Sequence, residues 1–332
     1  MLGGSWVASQ VRIGRLISGA GLLFEVLARA LAYSGVLSLV CMGFTLIHVV
    51  EGVPNLSQGA FMALGVYVTY TVGVIWGESP YLGLPVAAVL GALVGVLCFY
   101  AVIRPLSGRV DDVYMTLATL GLQIIIVSLV YVYAYWIREE YHLYPSGFLL
   151  SRHGLDCGGY PLVTMVSTVL CLSTAFCLHR AFSNRWGIAL RATAESRGLA
   201  EVSGVDTNRL RASTWLVSCG LSCLAGSVYA LLFPGTPYIG GTIMSTVMGA
   251  CILGGLCSVF WTLIGGFLMG FSMTLLPGAL LSAFGEYTVS YYHLLPLLTI
   301  VCVFLLEPRG LQGVYERMAF LGTQSSRSEL EK

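Results

Sequence analysis

Apolar residues in this chain fall in long runs separated by short polar stretches, a pattern that neither an amphipathic helix nor a half-buried strand produces. The runs at residues 30–50, 81–103, 113–137, 161–178, 212–233, 258–276 and 287–306 match or approach the roughly 20 residues of a membrane-crossing helix. Two more, at 60–76 and 242–257, are short for a span. The fold expected is all-α: a polytopic membrane helical bundle of about eight or nine apolar segments, with short broken or re-entrant helices.

The first interruption is the most informative. Between Val50 and Ala60 stands Glu51-Gly52-Val53-Pro54-Asn55-Leu56-Ser57-Gln58-Gly59. Irregular polar backbone at membrane depth is tolerated only where protein buries it or where it lines a wet cavity. Asn55, Ser57 and Gln58 cluster beside Gly59, and such neutral groups at a helix end can hold a zwitterion while apolar walls accept its side chain. These residues are candidates for a transport pathway, although an ordinary exposed turn between two spans reads the same way. The segments at 52–76 and 242–257 lie in opposite halves of the chain, and paired interruptions of this kind point to a transport site near the bilayer midplane. No internal repeat strong enough to confirm that symmetry is visible. If every run crossed, Arg12 would lie outside, so an early segment is expected to be broken or re-entrant.

Charge orients the spans. The island at 180–211 carries Arg180, Arg185, Arg191, Arg197, Arg209 and Arg211 against Glu195, Glu201 and Asp206, which marks it as cytoplasmic. The basic turn from Arg104 to Arg109 falls on the same side, and the net acidic connection at 138–160 on the other. The organisation expected is a cytoplasmic arm at 1–21, a transmembrane domain at 22–313 containing the 180–211 loop, and a cytoplasmic tail at 314–332. Within the island, residues 194–204 can form a short helix with Leu199 and Val202 on one face, and its small residues Ala200, Ser203 and Gly204 suit close contact with another protein.

Composition agrees with a membrane protein. The 332 residues are 57% hydrophobic and 10% charged, with a mean hydropathy of +0.83. A net charge of +1 gives no reason to expect nucleic acid as a partner. Lysine occurs only at Lys332, so no phosphate-binding G-x-x-x-x-G-K-[ST] loop exists, and any ATP that drives the protein binds another chain. The ten cysteines form no C-x-x-C pair or Cys/His cluster, so neither a metal site nor a disulfide framework is indicated.

Candidate chemistry is sparse. His48 and Glu51 stand three apart and could share a proton or a metal, but too few ligands accompany them, which favours a pairing or pore-lining role. His293 and Glu286 read as a buried hydrogen-bonded residue and a loop charge. No nucleophile, acid and base set is present, so no enzyme activity or catalytic residue is expected. A secondary transporter is the alternative in another class, yet such proteins usually keep ionisable groups within their spans, and here charges avoid the span centres.

Four stretches together resemble the branched-chain amino acid ABC importer permeases, specifically the shorter of that system's two membrane subunits. They are Met42-Gly43-Phe44-Thr45-Leu46-Ile47 leading to Asn55-Leu56-Ser57-Gln58-Gly59-Ala60-Phe61-Met62-Ala63-Leu64-Gly65; Gly187-Ile188-Ala189-Leu190-Arg191-Ala192 followed by Glu195, Ala200 and Gly204; Leu253-Gly254-Gly255-Leu256 with Gly265-Gly266; and Pro308-Arg309-Gly310-Leu311. The resemblance implies an α-helical transport domain whose partners are a second permease subunit, two ATPase subunits, an extracytoplasmic substrate-binding protein and the surrounding membrane lipid. It also implies a prokaryotic plasma membrane, both termini cytoplasmic, and no cofactor on this chain, ATP and Mg belonging to the ATPase. By the same resemblance Glu195, Arg197, Leu199, Ala200 and Gly204 couple to the ATPase, and Gly254 and Gly255 join Asn55, Ser57, Gln58 and Gly59 in the pathway. The sequence departs from the family pattern at Gln58, where histidine is usual, at Pro54, which is inserted, and at Glu307, which replaces a basic residue. Some relatives carry urea or short amides, which is the alternative substrate class.

Overall fold

The computed structural model describes residues 20–150, 159–256, 258–284, 294–306, 310–313, 315 and 317. His293, Glu286, Glu307, Pro308, Arg309, residues 1–19 of the expected arm and most of the expected tail lie outside the described residues. The helices are α1 (Ala20–Glu51), α2 (Gln58–Tyr70), α3 (Gly83–Cys98), α4 (Asp112–Tyr141), α5 (Gly159–Ser183), α6 (Arg185–Glu195), α7 (Arg197–Val202), α8 (Thr207–Leu232), α9 (Ile239–Gly254), α10 (Val259–Phe284) and α11 (Leu294–Leu306). π-Helical turns at Thr71–Ile75 and Phe99–Ile103 extend α2 and α3. Among the described residues seven helices are long and apolar enough to cross a membrane, while α9 remains shorter at 16 residues. Among the described residues the one strand-type pairing is an isolated bridge between Phe148 and Gly235.

Burial sorts the helices into two layers. α1, α2 and α8 are enclosed on most sides, whereas α3, α4, α5 and α10 keep one apolar face outward. Val89, Leu93 and Leu97 on α3, Leu117 and Ile124 on α4, and Leu172 and Phe176 on α5 are all exposed. In water such a surface would be an aggregation liability, and in a bilayer it is the ordinary lipid-facing side.

A repeat that the sequence conceals organises the inner layer. α1 packs along α10, and α8 packs along α3. Both contacts use glycines spaced i, i+4: Gly266 and Gly270 of α10 lie against Ser38 and Ser34 of α1, and Gly91 and Gly95 of α3 lie against Cys223 and Cys219 of α8. Each unit is a long helix, an irregular return, a short helix and a long helix, and the two units run in opposite directions. Where they meet, Gly59 and Gly240 face one another so closely that a Cβ on either would overlap the other's carbonyl. The small polar residues differ, Ser34 and Ser38 against Cys219 and Cys223, because packing demands only their size.

The path of α1 shows which of its ends meets the island. Its last residue, Glu51, is bonded to Arg197 and Arg211 of the island, while nearer its start the Ala28 and Ala32 carbonyls accept from Thr164 and Ser167, at the opposite end of the bundle. The Ala20 end of α1 therefore lies at the opposite end of the bundle from the island. Gly310 sits against the turn between α9 and α10, on the island side of the bundle.

Candidate transport and coupling site

The first interruption folds back into the bundle. Glu51 meets Arg211 at the base of α8, whereas Gln58 bonds Ser218 and Ser222, about 10–16 Å further along that helix at 1.5 Å per residue. Gly52 N–H still donates to the His48 carbonyl and the Ser57 carbonyl starts α2, but between them the backbone makes little more than the bond from Gln58 N–H to the Asn55 carbonyl at 3.4 Å, and side chains supply the rest. Asn55 Oδ1 accepts from the Ser57 backbone N–H at 3.1 Å and from Ser57 Oγ at 2.7 Å, an Asx turn. Asn55 Nδ2 donates to Gln58 Oε1 at 3.2 Å. Gln58 Nε2 in turn donates to Ser218 Oγ at 3.0 Å, to the Ser218 carbonyl at 3.2 Å and to Ser222 Oγ. Leu56 N–H donates to Thr119 Oγ1 of α4 at 3.1 Å. Asn55, Ser57 and Gln58 are fully buried. The network satisfies an irregular backbone at membrane depth and joins α2 to α8.

Gly254 and Gly255 belong to a different place. They close α9 and turn into α10; Gly255 has φ +100° and its carbonyl accepts from Thr262 Oγ1 at 3.1 Å. α1 stands between this turn and the first interruption, with Gly43 against Gln58 and Thr45 bonded to Thr262. The structure thus does not gather the six pathway candidates into one site. What it adds at the level of Gly59 is the start of α9, where Tyr238, Thr242 and Ser245 are exposed. Sequence reasoning missed Ser218 and Ser222, although two serines four apart in an apolar run were a usable signal.

A second polar cluster sits below the first. The Glu51 carboxylate, 2% exposed, accepts Arg211 Nε at 2.9 Å and Nη2 at 2.6 Å, Trp215 Nε1 at 3.4 Å and Arg197 Nη2 at 3.1 Å. The Arg211 guanidinium also lies over the Phe99 ring, 5.2 Å from its centroid. Arg197 reaches further, donating to Ser107 Oγ at 3.0 Å and to the Val50 and Glu51 carbonyls at 3.4 and 3.3 Å, which would otherwise end α1 unpartnered. Glu51 therefore faces arginines rather than His48, whose ring stacks on Phe44. Among the described residues no group of three metal-ligating side chains exists.

The island itself is two helices where one was expected over 194–204. Ser196 is extended; its N–H closes α6 on the Ala192 carbonyl, and its Oγ caps α7 by accepting from Leu199 N–H. Glu195 thereby ends α6. Of the coupling candidates, Arg197 and Ala200 turn inward, Leu199 is 69% exposed, and Val202 beside it is 87% exposed. Gly204 ends the element with φ +86°, a conformation that side chains rarely adopt, as Val205 N–H returns to the Ala200 carbonyl. Between α7, the end of α1 and the start of α4 opens a cleft of about 270 Å³, lined by Glu51, Ser107, Asp112, Thr193, Glu195 and Arg197 among others.

Comparison with known proteins identifies relatives over most of the chain. The chain is 31% identical over 291 residues to the probable branched-chain amino acid transport permease protein LivH of Methanocaldococcus jannaschii, covering 87% of this chain and 92% of that one. It is 23% identical over 306 residues to the high-affinity branched-chain amino acid transport system permease protein BraD of Pseudomonas aeruginosa, covering 87% and 95%. A solved structure, PsaBC from Streptococcus pneumoniae in complex with Fab, aligns with 91% of this chain and 97% of its own at 13% identity and a TM-score of 0.49, a likeness too slight to argue from. Residues 26–304 match the family described as branched-chain amino acid transport system / permease component, and the chain belongs to that family.

Proposed function

We propose that this chain is a permease subunit of an ATP-driven importer that carries branched-chain or other apolar amino acids across a prokaryotic plasma membrane. Its partners in this reading are a second permease subunit, two ATPase subunits and an extracytoplasmic substrate-binding protein, and ATP with its Mg stays on the ATPase. The observation that carries the reading is the island. α7 presents Leu199 and Val202 outward as an apolar pair on a strongly basic surface, while Ala200 and Arg197 on its other side tie it to the spans. An apolar pair exposed beyond the membrane suits a groove on another protein. Motion of that groove is then delivered to α1 and α8 through Arg197 and Glu51.

In this reading substrate moves along the side of the bundle where α9 starts, covered by the second permease subunit. Tyr238, Thr242 and Ser245 supply exposed polar groups there, and Asn55, Ser57, Gln58 and Gly59 stand directly behind at Gly240. Because the polar residues of the break bond one another in this conformation, a substrate reaches them only after α2 shifts against α8. Gly254 and Gly255 act as a hinge turn rather than as a lining.

The test is purification from native membranes in mild detergent. An ATPase subunit is expected to accompany the wild-type chain and to be lost from Leu199→Asp with Val202→Asp, both changes lying on the exposed face. A chain that purifies without an ATPase and still supports uptake would make it a secondary transporter. Uptake of leucine compared with urea separates the amino acid reading from the short-amide alternative.

A further inference from the structure

The two arginines on Glu51 are not equivalent. Arg211 is 4% exposed, holds the carboxylate through two nitrogens, and is covered by Phe99. Arg197 is 36% exposed, holds it through one, and stands at the wall of the 270 Å³ cleft. That cleft offers two other carboxylates, Asp112 at the start of α4 and Glu195 at the end of α6, and neither makes an ion pair among the described residues. Ser107, which already accepts from Arg197 Nη1, belongs to the turn that leads to Asp112.

We propose that Arg197 exchanges carboxylates during transport, leaving Glu51 for Asp112 or Glu195 and returning, while the Glu51–Arg211 pair stays closed as a fixed pivot. This rests on the importer reading and specifies its moving part. A buried charge left alone would resist any motion, but Glu51 keeps Arg211 when Arg197 departs, so neither end state strands an ion. The guanidinium also releases the Val50 and Glu51 carbonyls as it goes, which frees the end of α1 and the return segment behind it. Arg197 is thus a positioning residue: it touches no substrate and sets where α7 stands relative to α1. The exchange gives the bundle two discrete arrangements, which a partner's movement can bias by binding one better than the other.

The experiment uses the full complex with its ATPase subunits in liposomes and reads leucine taken up per ATP hydrolysed. Asp112→Asn with Glu195→Gln removes the alternative partners from an exposed cleft and is expected to lower that ratio about tenfold. Arg197→Met is expected to lower it by a similar factor, and the triple variant no further, because all three changes disable one exchange. An unchanged ratio in the double variant, or losses that multiply in the triple, overturns the exchange alone. A wild-type chain that transports with no ATPase subunit overturns the exchange and the importer reading together.

Discussion

The two irregular returns of the inverted repeat follow similar paths by different chemistry. The first, at residues 52–57, is held by the amides of Asn55 and Gln58 and ends against charged groups. The second, at 233–238, includes Pro234 and Pro237, which have no N–H to satisfy, and ties Gly235 to a neighbouring loop. Gly147 N–H donates to the Gly235 carbonyl at 2.8 Å, and Gly235 N–H donates to the Phe148 carbonyl at 2.9 Å. The first return is therefore linked by side chains to α8 and the island, and the second by backbone to a loop at the opposite end. Similar backbone paths are thus fastened asymmetrically, by side chains at one end and by backbone at the other.

The comparison breaks most readily at the charged end. Glu51→Ala leaves Arg211 buried without its carboxylate and is expected to destabilise by about 3–5 kcal/mol, seen as loss of monodisperse protein and a lower Tm in detergent. Nothing in the second return has a counterpart to that change. At the centre, Gly240→Leu forces a side chain into the Gly59 backbone and should cost about 1–3 kcal/mol or more, with Gly59→Leu equal to it if the repeat is symmetric. A large difference between those two melting shifts would show that one return is the softer.

Smaller changes sharpen the contrast. Gln58→Leu strips partners from Asn55, Ser218 and Ser222 and is expected to cost about 1–3 kcal/mol, with faster hydrogen exchange over residues 52–61. Tyr67→Phe removes only the bond from Tyr67 Oη to the Pro145 carbonyl, 2.5 Å long, and should cost about 0.5–1.5 kcal/mol, with exchange quickening at 145–148 and not at 52–61. Exchange rising equally in both places would mean that the ends are not independently fastened.

Most of the architecture was legible because a bilayer constrains it so strongly. The runs and the irregular stretch before Gly59 follow from hydrocarbon thickness and unsatisfied backbone, with no knowledge of partners in space. The sites were less legible. Glu51 was weighed against His48, its neighbour on the helix, while its actual partners lie 146 and 160 residues away. Arg197 and Leu199 stood together as coupling candidates, and only packing turned one inward and the other outward. Ser196 read as one more helical residue until its side chain had a free N–H to cap.

By itself the sequence determined the class of molecule, its helical segments and the polarity of its loops, because each of these depends on local hydrophobicity and charge. The tertiary structure alone decided that the halves form an inverted pair crossing at Gly59 and Gly240, that α1 meets the island at its C-terminal end, and which arginine on Glu51 is buried and which is partly exposed. Those outcomes depend on residues far apart in the chain, whose contacts no local pattern encodes when size alone, as with serine and cysteine here, satisfies the packing.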